Sequence, residues 1–220
     1  MHAESGCSKA QTLYFFIDAT QSNKFENFCP LIVTMQMLVA AFNPSATSET
    51  QIGAMLFADE AKKKGPSSVF SVGTSCHDAI QGEKNSLLSL MFEYGTCLDK
   101  DRKYSSPKYP SMCGEGTSAL RGLKEIYKVI SSKKKSGVVL MLTDGVIKDD
   151  AKKRDAVLKK FKEAKITIIG AGIGKVSELG DSMKDYTSIN LIKEDPVDLG
   201  IAIVNEMENQ KVLCSNEGNL

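Results

Sequence analysis

The sequence predicts an α/β domain: a doubly wound, mostly parallel sheet with helices on both faces and one antiparallel edge strand. Three observations carry this. Strand-like apolar runs alternate with helix-period segments along the chain. Runs such as Leu13–Ile17, Val138–Leu142 and Ile166–Ile169 are continuously apolar, the pattern of strands covered on both faces. The segments between them carry apolar stripes at helical spacing. A length of 220 residues suits one domain spanning 1–220, large enough for an ordinary hydrophobic core.

Leu13-Tyr14-Phe15-Phe16-Ile17 is the first strand. A helix follows over 24–42, with Pro30 near its start, where a missing N–H costs little. From Leu31 to Phe42 it is apolar nearly all round, which predicts a largely buried helix. That run of 12 residues is too short to cross a bilayer, so no membrane span is expected. Asn43-Pro44-Ser45 ends the helix. Ile52–Phe57 is the second strand and Val69–Val72 a short third, the candidate antiparallel edge. Residues 83–94 carry the helical stripe Leu87, Leu88, Leu90, Met91 and Tyr94. Residues 95–116 have no periodicity and contain Cys97 and Cys113; so long a loop in a compact domain is usually functional or stapled. Thr117 opens a helix with Leu120, Leu123, Ile126, Tyr127 and Ile130 on one face. After strand Val138–Leu142, residues 149–164 form an amphipathic helix, with Ala151, Val157, Leu158, Phe161 and Ala164 inward and lysines outward. Strand Ile166–Ile169 ends in a glycine turn from Gly170 to Gly174. Strand Ile189–Ile192 precedes a last helix from about Pro196 to Lys211.

Charge narrows the function classes. Lys+Arg at 28 against Asp+Glu at 27 gives no global attraction to nucleic acid or anionic membrane, and no nucleic-acid partner is expected. Lys133–Lys135, Lys152, Lys153, Arg154, Lys159, Lys160, Lys162 and Lys165 read most simply as solvated surface, with a glycosaminoglycan partner as the alternative. Two histidines, His2 and His77, argue against a multi-histidine metal or catalytic centre. Gly170–Lys175 is one residue short of a phosphate loop, and Val176 replaces the required Ser/Thr, so a nucleotide-binding enzyme is disfavoured. The N-terminus MHAESGCSKA has no apolar run, so no signal peptide is expected there. Six cysteines without a C-x-x-C pair argue against a zinc ribbon or a thioredoxin-like site. They leave two readings: three long-range disulfides in an oxidising compartment, or six buried thiols in a reducing one.

In doubly wound sheets, ligands bind beyond the carboxyl ends of the strands. Asp18-Ala19-Thr20-Gln21-Ser22 follows the first strand, Thr143-Asp144-Gly145 follows the strand 138–142, and Gly116-Thr117-Ser118 opens a helix. Taken singly, each is an ordinary capped turn. Together, Asp18, Thr20, Ser22, Thr117 and Asp144 are an all-oxygen set suited to a hard cation, Mg²⁺ or Mn²⁺, with Ca²⁺ a poorer fit. Neutral hydroxyl ligands leave such an ion incompletely neutralised, so an external carboxylate can complete its shell. The set binds an acidic group, and no general base accompanies it; no enzymatic activity is expected.

DATQS after an apolar strand, GEGTSAL before a helix and LTDG after another strand, in that order, resemble the von Willebrand factor A domain and its metal-ion-dependent adhesion site. The resemblance covers about residues 7–214 and extends to IGAMLFADEA, ITIIGAGIG and the final helix. It implies the Rossmann-like fold of that family. It also implies that Thr20, Ser22 and Thr117 ligate the metal through hydroxyls, with Asp18 and Asp144 acting directly or through water. The family's commonest motif has Ser where this chain has Thr20, whose methyl restricts χ1. The implied protein is a secreted adhesion or matrix-type module that engages a Glu or Asp of a protein ligand, such as collagen or another matrix protein. An intracellular scaffold with a structural or vestigial metal site is the alternative. In extracellular members a disulfide joins the two ends, which here implies Cys7–Cys214. Cys97–Cys113 would then staple the long loop and leave Cys29–Cys76.

Overall fold

The computed structural model describes residues 11–20, 25–42, 50–58, 66–97, 109, 112–113, 118–133, 136–143, 147–174 and 183–210. In chain order these form β1 (Gln11–Asp18), α1 (Phe25–Phe42), β2 (Gln51–Phe57), β3 (Ser67–Phe70), α2 (Cys76–Gln81), α3 (Leu87–Cys97), α4 (Leu120–Ser132), β4 (Ser136–Leu142), α5 (Ala151–Glu163), β5 (Ile166–Ile173), β6 (Ile189–Lys193) and α6 (Pro196–Asn209).

The six strands run in the order β3-β2-β1-β4-β5-β6. All neighbours are parallel except β2 and β3, so β3 is the antiparallel edge the sequence predicts. Register pairs Leu13 with Ile52 on one side and with Val138 on the other, which makes β1 the sheet's interior spine. Because successive strand side chains alternate faces, Leu13, Phe15 and Ile17 enter one core with α1, α2, α3 and α6. Tyr14 and Phe16 enter a second core with α4 and α5. Val138, Leu140 and Leu142 join the first core, and Val139 and Met141 the second. Both faces of β1 and β4 are thus buried, which is why their sequences are continuously apolar.

Several elements depart from expectation. α1 is not buried all round: Phe28, Leu31, Ile32 and Met35 are fully buried, while Val33 is 45% and Met37 69% exposed. The full 18-residue helix is long and apolar enough by composition to cross a membrane. Its inner face is a core face, and composition alone establishes no span. α2 was not anticipated; six residues are too few for a periodic signal, and its start is fixed by Ser75, whose Oγ accepts the Asp78 amide at 3.2 Å. α4 begins at Leu120, three residues after Thr117. Gly170–Ile173 continue β5 instead of turning out of it, because each pairs with β6. That removes the resemblance to a phosphate loop. Ala151 is exposed at the first turn of α5, before the helix meets the sheet.

The aperiodic stretch after α3 is not wholly surface. Tyr109 is fully buried and Met112 nearly so, and Cys113 N–H donates to the Ala19 carbonyl at 2.7 Å. Cys113 is therefore tied to the exit of β1. Cys113 is disulfide-bonded, and the side chain of Cys97 lies outside the described residues. Cys7 and Cys214 also lie outside them.

The expected Cys29–Cys76 pair does not form: both are free thiols. Cys76 Sγ lies 3.8 Å from the Val39 carbonyl, near the far end of α1. Cys29 stands ten residues earlier on that helix, about 15 Å away at the rise of an α-helix. A disulfide needs Cα atoms within about 7 Å.

Candidate functional site

The order of strands reverses between β1 and β4, so the crevice beyond their carboxyl ends is the switch point where such folds bind ligands. Register pairs Ile17 with Leu142, which sets Asp18 against Thr143 just past that pair. The Thr143 hydroxyl donates to Asp18 Oδ2 at 2.6 Å, and the Thr20 amide donates to Oδ1 at 2.9 Å. The Thr20 hydroxyl also bonds the carboxylate. Asp18, Thr20 and Thr143 are all buried. Burial pushes the Asp18 carboxyl above its ordinary value, and the hydrogen bonds from Thr143 and Thr20 offset only part of that shift.

The turn itself is held from three sides. Ala19 N–H donates to the Phe57 carbonyl at 2.9 Å, which ties it to β2. Its own carbonyl receives Cys113 N–H. The Tyr94 hydroxyl donates to the Thr20 carbonyl at 2.7 Å, and the Tyr94 ring stacks on Phe28 of α1 at 3.8 Å between centroids. These contacts fix the turn's backbone, so the Asp18 and Thr20 side chains are presented by a rigid support.

Of the five residues the sequence proposes, the structure describes two, Asp18 and Thr20, and brings them together. Ser22, Thr117 and Asp144 lie outside the described residues. Their described neighbours lie close to the same edge. Thr143, which precedes Asp144, contacts Asp18, and Ser118, which follows Thr117, donates its N–H to the Ala58 carbonyl past the end of β2 at 2.8 Å. Among the described residues, no group of three or more His, Cys, Asp or Glu could hold a metal. A hydroxyl-rich set does not need one. The part on view fits a hard cation: a buried carboxylate beside a hydroxyl, its charge disfavoured by burial until a positive ion compensates it.

Three participants were not singled out from sequence. Thr143 carries no signal of its own beside Asp144 in sequence; strand register places it opposite Asp18. Tyr94 reads as one more member of an apolar stripe. Asp149, on the β4–α5 connection, carries no motif. Its Oδ1 accepts the Ser118 hydroxyl at 2.6 Å, and its Oδ2 accepts the Ala119 amide at 3.0 Å and the Tyr186 hydroxyl at 2.5 Å.

A doubly wound sheet with one antiparallel edge strand, carrying an oxygen-lined crevice at its switch point, defines the class. More particularly, the fold is that of von Willebrand factor A domains. Proximal thread matrix protein 1 from the mussel byssus, solved with a zinc-occupied metal-ion-dependent adhesion site, superposes with a TM-score of 0.60 at 18% identity, over 94% of this chain and 46% of that one. The von Willebrand factor domain of the type V pilus tip protein Mfa5 from Porphyromonas gingivalis gives 0.60 at 10% identity, covering 96% and 98%. The SpRpn10 von Willebrand factor A domain gives 0.56 at 16%, covering 90% and 95%. The chain thus spans about half the length of the mussel protein. No protein-family model matches the sequence. No curated protein matches it either.

Proposed function

We propose that this chain is a non-enzymatic binding module that holds Mg²⁺ or Mn²⁺ beyond the ends of β1 and β4 and offers it to a Glu or Asp of a protein ligand. Asp18, Thr20, Ser22, Thr117 and Asp144 would hold the ion. The observation that carries the reading is the buried Asp18 carboxylate at the switch point, hydrogen-bonded to Thr20 and to the residue preceding Asp144. The ion would supply an open coordination position for the ligand's carboxylate; the chain supplies a rigid, hydroxyl-rich cradle that leaves the ion electron-poor. The setting we favour is extracellular, with collagen or another matrix protein as the kind of partner. The structural neighbour from the mussel byssus is in keeping with this. Calorimetric titration of Mg²⁺ and Mn²⁺ into the wild type and Asp144→Ala tests the site, and equal affinities would overturn it. Ligand capture that persists in EDTA would overturn the mechanism even where metal binds.

Two observations favour further readings. Cys29 and Cys76 are free thiols, which suits an intracellular scaffold, whereas the disulfide-bonded Cys113 suits the extracellular setting. Alkylation without prior reduction decides this: six modified cysteines mean a reduced, intracellular protein. Separately, Lys124 and Lys128 of α4 and Lys153 and Lys160 of α5 line one groove of about 400 Å³. Glu125 lines the same groove and pairs with Lys128 at 2.8 Å, and the remaining excess of positive charge suits a sulfated glycosaminoglycan. Retention on heparin that is lost in Lys153→Glu/Lys160→Glu supports it; unchanged retention removes it.

A further inference from the structure

We infer that Asp149 is a positioning residue for the metal site, fixing the segment that carries Thr117. This rests on the metal-binding reading above. An α-helix begins with amide donors that have no partner inside the helix. Ala119, at the N-cap of α4, has no side-chain oxygen to receive them. Asp149 supplies that oxygen from another part of the chain. It takes the Ala119 amide on Oδ2 and the Ser118 hydroxyl on Oδ1, and its negative charge suits the positive end of the helix. Ser118 is thereby held twice, by its hydroxyl to Asp149 and by its N–H to the Ala58 carbonyl. Thr117 is the next residue back along the chain, directly joined to Ser118.

Asp149 is itself oriented. The Tyr186 hydroxyl, on the connection between β5 and β6, donates to Oδ2. Burial, and then the neighbouring Asp149 carboxylate, push the Tyr186 hydroxyl well above its ordinary value, so it stays a donor. Arg154 lies over the Tyr186 ring at 5.6 Å and pairs with Asp185 at 2.6 Å, which holds the ring in place. The chain of contacts runs from Asp185 through Arg154, Tyr186 and Asp149 to Ser118. Asp150, the adjacent carboxylate, does something different: it caps its own helix α5 by accepting the Lys153 amide at 2.9 Å. Two neighbouring carboxylates therefore serve two helices, and only one of those helices begins beside a proposed metal ligand.

The test is Mn²⁺ titration by calorimetry on the wild type, Asp149→Ala, Asp149→Asn, Tyr186→Phe and Asp150→Ala, with thermal unfolding of each measured in EDTA. Residues that orient metal ligands typically change affinity by about 10- to 100-fold when removed. Asp149→Ala should weaken Mn²⁺ at least tenfold, with Asp149→Asn and Tyr186→Phe in between. Asp150→Ala, which loses an ordinary cap, should lower the unfolding temperature and leave affinity unchanged. A purely structural Asp149 would behave as Asp150 does, and that result overturns the assignment. Should Asp149→Ala not fold, Tyr186→Phe and Asp149→Asn carry the same comparison. No Mn²⁺ binding by the wild type overturns the metal-binding reading and this inference with it; wild-type binding with an unaltered Asp149 series overturns the inference alone.

Discussion

The two helical layers cover the same sheet and present opposite surfaces. The layer of α1, α2, α3 and α6 exposes Phe25, Val33, Met37, Leu88, Phe92, Val197 and Ile201, which are all the large exposed apolar side chains among the described residues. Val33 and Met37 of α1 face Val197 and Ile201 of α6 across a groove of about 620 Å³. The layer of α4 and α5 buries a narrow stripe and turns lysines outward. Each layer also reaches the crevice by its own route. From the first, Tyr94 holds the Thr20 carbonyl; beside the second, Asp149 holds the start of α4. Burial and site support are thus separable properties of a layer, and substitutions can pull them apart.

The largest effects should come from the two cores. Phe28 is fully buried and Phe161 nearly so, and truncating a buried Phe to Ala costs about 3–5 kcal/mol. Phe28→Ala also removes the ring on which Tyr94 stacks, and Tyr94 holds the β1 turn. Phe161 packs against Tyr127, which is remote from the turn. Chemical denaturation should therefore show similar losses for both variants. Mn²⁺ titration at a temperature where both remain folded should show weaker binding for Phe28→Ala alone. Equal affinities would mean that the first layer does not support the site.

Asp18 gives a pH dependence that neither layer shares. Burial raises its folded value above its unfolded one. The folded state then binds its proton more tightly, so metal-free protein loses stability as pH rises from the ordinary carboxylate range to that raised value. Below the range the charge is absent in both states, and above the raised value the penalty is complete. Thermal unfolding in EDTA should follow this fall, and Asp18→Asn should flatten it. Saturating Mg²⁺ should reverse the slope, because the cation favours the carboxylate. A flat profile in the wild type would show that Asp18 has compensation of its own.

Tyr94→Phe is a smaller and cleaner cut. It keeps the ring on Phe28 and deletes one donor, leaving the buried Thr20 carbonyl short of a partner at a cost of about 1–3 kcal/mol. Metal affinity should fall with it, less than in Phe28→Ala. Unchanged affinity would place the turn's rigidity in its bonds to Phe57 and Cys113.

Sequence legibility follows the same division. The parallel strands can be read because both faces of β1 and β4 are buried, which makes their runs continuously apolar, and the edge can be read from the shortness of the Val69–Val72 run; the order of strands cannot, since it rests on pairing between segments far apart in the chain. α4 and α5 could be read because each has one buried stripe. α1 misled because an apolar exposed face looks like a buried one in sequence, and Val33 and Met37 carry no mark of where they point. At the crevice, Asp18 and Thr20 were legible as residue types after a strand. Thr143 and Asp149 were not, since their roles depend on strand register and on a contact 31 residues distant in the chain, between Ser118 and Asp149. The fate of Cys29 and Cys76 is equally three-dimensional: it depends on which end of α1 meets α2.

The smallest expected effect tests whether the surface difference matters to the fold. Met37 is 69% exposed, and Lys160 is exposed on the opposite layer. Exchanging their characters, Met37→Lys in one variant and Lys160→Met in another, should change stability by less than about 0.5 kcal/mol each, as exposed positions do. Both are good helix formers, so propensity does not intervene. A denaturant midpoint within that limit for both variants means that the two surfaces are free to differ for reasons other than folding. A loss above about 1 kcal/mol in Met37→Lys alone would mean that the groove between α1 and α6 is closed in solution and that Met37 is a core residue there. Lys160→Met serves as the control, being an exposed helix position on the opposite layer.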